Sequence, residues 1–248
     1  MKKERFTFFE SNPELYEQGF SYRTIDQQVN FLDKIFQKNR CKKILDIACG
    51  HSPQGILLAK KGYDVSGIDI SGPLLKLGKQ RASEKQVDFK FYKKNMSNFY
   101  IGKFDAAYIL FSSILHLYKK EDLINHFKSV SNNLKRDGLY ILDISSLPFD
   151  SPLKPKKIKY SNGGLTTTVE YLPKDILNLT ASFNMKSMLK NRIVNNDKFN
   201  ILMFLPLPIL FSLAVSNEFK IENLYSNFYF NRKLSKNRPE YIAILRRK

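Results

Sequence analysis

Between Lys42 and Ser145 the chain alternates between two kinds of segment. KKILDIA (42–48), YDVSGID (63–69), VDFKFYK (87–93), FDAAYILF (104–111) and GLYILDIS (138–145) are strand-length and rich in β-branched and aromatic residues. The stretches 53–61, 72–85 and 121–134 between them carry helical spacing. Gly62 closes the first helix, and Arg136-Asp137-Gly138 forms a turn before the fifth strand. Parallel strands need long crossovers, normally helices, so this rhythm dictates a mostly parallel sheet with helices on both faces. The fold class is therefore α/β, doubly wound.

Upstream, Ile25, Val29, Leu32, Ile35 and Phe36 fall on one helical face. After Ser145 the rhythm breaks. SPLKPKK (151–157) is a connection, Ser161-Asn162-Gly163-Gly164 a turn, and TTTVEYL, ILNLTASFNM and FNILMFL read as an antiparallel insert of about three strands, the last preceded by a turn at Asn195-Asn196-Asp197. A helix (207–217) and the strands FKIENLYS (219–226) and EYIAILRR (240–247) follow, the two strands rejoining the main sheet as an antiparallel hairpin. The apolar run 201–215 is too short for a comfortable bilayer span and contains Pro206 and Pro208, so it reads as a strand and a helix start.

On an open parallel sheet a ligand sits outside the carboxyl ends of the strands. There the first loop reads ILDIACGHSPQG (44–55), with Asp46 at the strand end and small residues Ala48, Cys49 and Gly50 behind it. The second strand ends in Asp69, whose carboxylate can accept from both hydroxyls of a ribose. A dinucleotide site needs G-x-G-x-x-G to seat a pyrophosphate on a helix N-terminus. Ala48 to Gly55 does not supply it, whereas S-adenosylmethionine carries no phosphate and needs only a small-residue bend.

Five segments in order, DIACGH (46–51), GIDIS (67–71), NMSNF (95–99), FDAAYILFSS (104–113) and RDGLYILD (136–143), resemble the motifs of class I S-adenosylmethionine-dependent methyltransferases. The resemblance covers roughly residues 20–145, and the insert is similar to that of glycine N-methyltransferase relatives. It implies a seven-stranded Rossmann-like methyltransferase sheet with an antiparallel strand insert before the last helix. It divides the chain into an N-terminal helical lid (1–40), a methyltransferase domain (41–148 and 206–248) and the insert (149–205). By the same resemblance Asp46, Ala48, Cys49 and Gly50 surround the methionine end of the cofactor. Asp69 binds ribose, Ile70 packs on adenine, Asn95 and Met96 edge and cover it, and Phe111 with Ser112 lines the passage to the acceptor. Tyr22 stands where relatives carry a tyrosine that closes over the cofactor. Ala48 and Ser52 replace customary glycines; Ala48 costs little where its φ is negative, and Ser52 places a side chain in the cofactor's approach. Asn95 replaces an acid but keeps an acceptor oxygen.

Methyl transfer is governed by alignment, so it requires no strong catalytic constellation. His116, after the fourth strand, is the candidate base or acceptor contact, with Tyr22 beside it; His51 reads as a loop filler, His126 as structural or solvent-facing, and Tyr16 as helix packing. Three scattered histidines and two cysteines make no metal cluster, and Cys41 and Cys49 flank one strand as reduced thiols, as in a cytoplasmic protein.

The net charge of +18 admits nucleic acid as a partner, although the basic residues are interleaved with acids. Phe111-Ser112-Ser113 stands where adenine-amino methyltransferases carry N-P-P-Y, and no proline-cysteine pair of the pyrimidine C5 type occurs. Three readings remain: a methyltransferase acting on a nitrogen, oxygen or carbon of a small molecule, an RNA ribose or guanine methyltransferase, and a non-catalytic binding module of the same fold. The first is the leading expectation.

Overall fold

The computed structural model describes residues 12–19, 24–144, 154–230 and 241–248. Helices α1 (Pro13–Gly19) and α2 (Ile25–Lys38) precede the alternating region. That region runs β1 (Lys43–Ile47), α3 (Pro53–Lys60), β2 (Asp64–Asp69), α4 (Gly72–Glu84), β3 (Phe89–Lys93), β4 (Phe104–Ile109), a 3-10 turn (Ser113–His116), α5 (Lys120–Asn133) and β5 (Leu134–Asp143). Strands β6 (Lys156–Asn162), β7 (Leu165–Asp175), β8 (Thr180–Leu189) and β9 (Arg192–Leu202) follow, then α6 (Leu207–Ser216), β10 (Phe219–Tyr225) and β11 (Ile242–Arg247).

The main sheet has seven strands in the order β10-β11-β5-β4-β1-β2-β3. Strand β11 runs antiparallel to both of its neighbours, and the other pairings are parallel. The chain leaves β1 for β2 and β3 on one side, then returns to β4 and β5 on the other, so the order reverses between β1 and β4. Alternate residues of the central strands feed two cores. Ile44, Ala106 and Tyr108 pack with Val29, Leu32, Ile35 and Phe36 of α2, while Leu45, Ile47, Ala107 and Ile109 pack with Phe127 and Val130 of α5. Burial on both faces explains why these strands are largely apolar rather than alternating, Asp46 and Asp105 being the interruptions.

The second sheet holds four antiparallel strands, β6-β7-β8-β9. Its inner face joins the main core through Tyr171, Ala181, Phe199 and Ile201. Helix α1 lies against the same sheet: Leu15 and Tyr16 pack on Val169 and Met185, and Gln18 Nε2 donates to the Gly163 carbonyl at 2.9 Å.

Three local expectations are corrected. The sheet has four strands rather than about three, because Lys156–Asn162, read in part as a connection, alternates Ile158 and Tyr160 against lysines and pairs with β7. Ile176–Leu179, read as strand, forms the β7–β8 turn, where Asp175 Oδ1 accepts from Asn178 N at 3.0 Å. Asn195-Asn196-Asp197, read as a turn, lies inside β9 with Asn195 and Asp197 buried; the chain reverses at Lys190 and Asn191, both at positive φ. Asparagine tolerates turns without requiring them, and cross-strand packing decided the matter.

Helix α4 approaches the β1–α3 loop at Gly78, where a Cβ would lie 2.9 Å from the His51 carbonyl oxygen and 2.6 Å from the Phe91 ring. Gly78→Ala is expected to lower stability by about 1–3 kcal/mol, read as a shifted urea midpoint at unchanged slope.

Candidate active site

The β1–α3 loop is set by three left-handed residues on alternate positions: Ala48 (φ 54°), Gly50 (φ 56°) and Ser52 (φ 54°). Ala48 therefore does not take the negative φ expected of it, and its Cβ costs roughly 1–2 kcal/mol in that region. The loop is tied down by Cys49 N, which donates to the Ile68 carbonyl at 3.0 Å. Gly50 N donates to Asp69 Oδ2 at 2.8 Å, and Ser71 N donates to Asp69 Oδ1 at 2.8 Å. One carboxylate thus joins the loops after β1 and β2. Burial pushes its pKa above the usual range, against the pull of those backbone amides.

Asp46 lies on β1 between Gly67 of β2 and Tyr108 of β4, and it is buried. Ser52 Oγ donates to its Oδ2 at 2.6 Å. Burial pushes the Asp46 carboxyl up to about 7; the Ser52 and Tyr108 hydroxyls oppose this and the Asp69 charge adds to it. A Cβ on Gly55 would fall 2.3 Å from Ser52 Oγ, so Gly55 makes the room that this serine needs. The Ser52 side chain points beneath the loop to Asp46 and is fully buried.

The other predicted residues fall as follows. The Cys49 thiol packs against Gly67, where a Cβ would approach it to 2.7 Å, and burial raises its pKa, so this residue offers a ligand its backbone rather than a reactive sulfur. Ile70 is 43% exposed beside the half-buried Asp69. Asn95 is exposed, and its Oδ1 accepts from Ser97 N at 2.9 Å, which leaves that oxygen a second lone pair. Met96 is half-buried against the main core. Phe111 and Ser112 both have positive φ, and Phe111 N donates to Asp143 Oδ2 at 2.8 Å. His116 is half-buried, its ring 5.0 Å from that of Phe199 on β9, and desolvation pulls it down to about 4. His51 faces Glu17 Oε1 at 3.6 Å and the edge of Tyr16. Tyr22 lies outside the described residues.

Two contributors were missed in the sequence. Asp143 at the end of β5 fixes the β4 loop, and it was visible as the last residue of RDGLYILD. Ser71 caps α4 by accepting from Leu74 N at 3.3 Å, in the serine-before-helix pattern. Among the described residues no cluster of three or more His, Cys, Asp or Glu is placed to hold a metal, and no helix is long and apolar enough to cross a membrane.

The site can be tested for fit to an adenosyl cofactor. Two of the lone-pair sites on the Asp69 carboxylate are taken by backbone amides, and others remain for ribose hydroxyls. Exposed Ile70 gives an apolar surface beside them, and the left-handed loop keeps bulk away. These features suit such a cofactor and offer no cradle for a pyrophosphate.

A doubly wound sheet with a reversed last strand, its first two loops clasped by an acid, defines the Rossmann-like methyltransferase fold. Residues 44–138 match the family described as "Methyltransferase domain". It is 35% identical over 135 residues to the protein YqeM of Bacillus subtilis (strain 168), covering 53% of each chain. It is 28% identical over 138 residues to a glycine/sarcosine N-methyltransferase of Aphanothece halophytica, covering 54% of this chain and 52% of the other. The chain spans about half the length of the curated relatives it matches. The structure of an S-adenosylmethionine-dependent methyltransferase from Clostridium acetobutylicum shares the fold with a TM-score of 0.82 at 17% identity, covering 94% of this chain and 96% of that one. The sugar N-methyltransferase KedS8 from Streptoalloteichus superposes with a TM-score of 0.69 at 15% identity, covering 94% and 92%.

Because the folded pKa of Asp46 lies above its ordinary 3.8, its contribution to stability is complete below that value and is lost as pH rises through about 7. Ser52→Ala removes a donor to that buried carboxylate and is expected to cost about 1–3 kcal/mol, more at pH 8 than at pH 5. Urea denaturation of both proteins at the two pH values checks the direction.

Proposed function

We propose that the chain is an S-adenosylmethionine-dependent methyltransferase acting on a small-molecule acceptor. The observation that carries this reading is Asp69, held by two backbone amides at 2.8 Å between the first two loops with lone pairs left for a ribose. The bound cofactor would supply a methyl group on a sulfonium, a good leaving group, for an in-line displacement. The chain's task is to align the acceptor and exclude water. Asp46, Ala48, Cys49 and Gly50 form the methionine end of the site, Ile70, Asn95 and Met96 the adenine end, and Phe111 the passage between cofactor and acceptor.

The acceptor chamber in this reading lies between the 3-10 turn and the inner face of the second sheet. His116 packs on Phe199, and Phe199 stacks on Phe183 at 5.0 Å, which supports a wall shared by the turn and the insert. Desolvation keeps His116 neutral at physiological pH, the form in which an imidazole nitrogen can accept a hydrogen bond and orient a nucleophile. Residues 1–40 serve as the lid and 149–205 as the acceptor-side insert, supported by the packing of α1 on that sheet. A nitrogen nucleophile is the acceptor best supported, since a glycine/sarcosine and a sugar N-methyltransferase stand among the similar proteins.

S-adenosylhomocysteine is expected to raise the melting temperature by several degrees, and Asp69→Ala to abolish the shift; no shift with either adenosyl ligand at millimolar concentration would overturn the reading. Once an amine acceptor is found by screening, His116→Phe is expected to lower kcat about 100-fold while the homocysteine-ligand shift persists.

A further inference from the structure

The segment between β3 and β4 carries Asn95 and Met96, yet it pairs with no neighbouring strand. Its backbone groups still need partners wherever they are buried. Internal bonding is limited to one turn, with Asn98 N donating to the Asn95 carbonyl at 3.2 Å. Within that turn Ser97 N also donates to Asn95 Oδ1 at 2.9 Å, and at the start of the segment Lys94 N donates to the Asp69 carbonyl at 3.0 Å. The partners of residues 96–101 outside the turn come from one face of α5. His126 Nδ1 meets the Met96 carbonyl at 2.8 Å. Ser129 Oγ accepts from Phe99 N at 3.3 Å and reaches the Ser97 carbonyl at 3.5 Å. Asn133 Oδ1 accepts from Ile101 N at 2.9 Å, and its Nδ2 donates to the Phe99 carbonyl at 3.1 Å.

His126, Ser129 and Asn133 are spaced three and four apart, so they form one stripe on the helix. They are 0%, 6% and 0% exposed. A stripe facing the interior is ordinarily apolar, and polar groups there are unfavourable unless bonded. Each of these is bonded, and each to the same loop. The stripe is anchored from behind as well: Tyr140 of β5 meets His126 Nε2 at 2.7 Å, and Asn133 Nδ2 also donates to the Ser129 carbonyl at 2.8 Å. A carbonyl can only accept, so Nδ1 of His126 carries the proton and Nε2 accepts from the Tyr140 hydroxyl. Burial, which pulls His126 down to about 4, favours that neutral form.

We infer that His126, Ser129 and Asn133 are positioning residues that set the adenine edge of the cofactor site by holding the backbone of residues 96–101 to α5. The inference rests on the proposed cofactor reading and adds to it a splint not found in the nucleotide-facing loops themselves. Side chains of a helix replace the missing strand ladder over residues 96–101, so the height of Met96, and of Asn95 between it and the Lys94–Asp69 bond, depends on α5. Because α5 starts four residues after His116, the same helix ties the acceptor wall to the adenine edge.

The test compares Asn133→Ala and His126→Phe with Phe127→Leu, a core change on the same helix that makes no bond to the loop. Hydrogen exchange should show the Ile101 amide, which Asn133 Oδ1 holds, released at least tenfold in Asn133→Ala, with those of Ala106 and Ala107 unchanged. Calorimetry should show S-adenosylhomocysteine binding weakened about tenfold in Asn133→Ala and His126→Phe, and within twofold of wild type in Phe127→Leu. Should Asn133→Ala fail to fold, Asn133→Asp keeps the acceptor for Ile101 N, loses both donors, and should show the same weakening. Loop release with ligand affinity held within twofold overturns the positioning role while wild-type binding leaves the cofactor reading intact. A wild-type chain that binds no adenosyl ligand overturns both.

Discussion

The carboxylate of Asp69 is the joint on which the site depends. Each of its oxygens takes a backbone N–H, one from the loop after β1 and one from the loop after β2. Parallel neighbours β1 and β2 place these loops side by side and join them as far as the Cys49 N–Ile68 carbonyl bond, past which strand pairing no longer sets their relative height. The acid does so, and it also leaves lone pairs directed outward. A structural cross-brace and a ligand contact are thus the same group, which is why its burial is tolerated.

Around this joint the chain buries several polar groups in a region where an apolar core would be simpler. Asp46 sits under the loop with Ser52 as its donor, Asp143 holds Phe111 from below, and His126 with Asn133 holds the adjoining loop. Each carries a desolvation cost that its hydrogen bonds offset. What they achieve together is placement: three loops at the carboxyl edge of the sheet, those after β1, β3 and β4, are fixed from beneath. Gly55 and Gly78 belong to the same scheme, since both let neighbouring groups come closer than a Cβ permits.

The order of strands and helices was legible in the sequence because period and length were unambiguous from Lys42 to Ser145. Asp46 and Asp69 were legible because strand-terminal acids at adjacent loops are rare without a ligand. The insert was less so. Asparagine-rich β9 looked like a turn, and the lysines of β6 masked a strand whose inward residues are only half-buried. Ser52 could not be resolved from sequence at all: its direction depends on a left-handed φ and on the absence of a side chain at Gly55, three residues away. His126 looked inert because mid-helix polarity usually means solvent, and its partners lie on a loop thirty residues earlier.

The reversed strand β11 has a bearing on how the molecule is made. It fills the slot between β5 and β10, pairing Ile242 with Asp143 and Tyr225 on its two sides. During synthesis the entire second sheet and α6 emerge before the strand that closes this gap. Until then β5 presents an open edge of Leu139, Tyr140, Ile141 and Leu142, a sticky template for other nascent chains. The order of translation therefore leaves this apolar edge open until β11 emerges, and capture of β11 is the step that closes it.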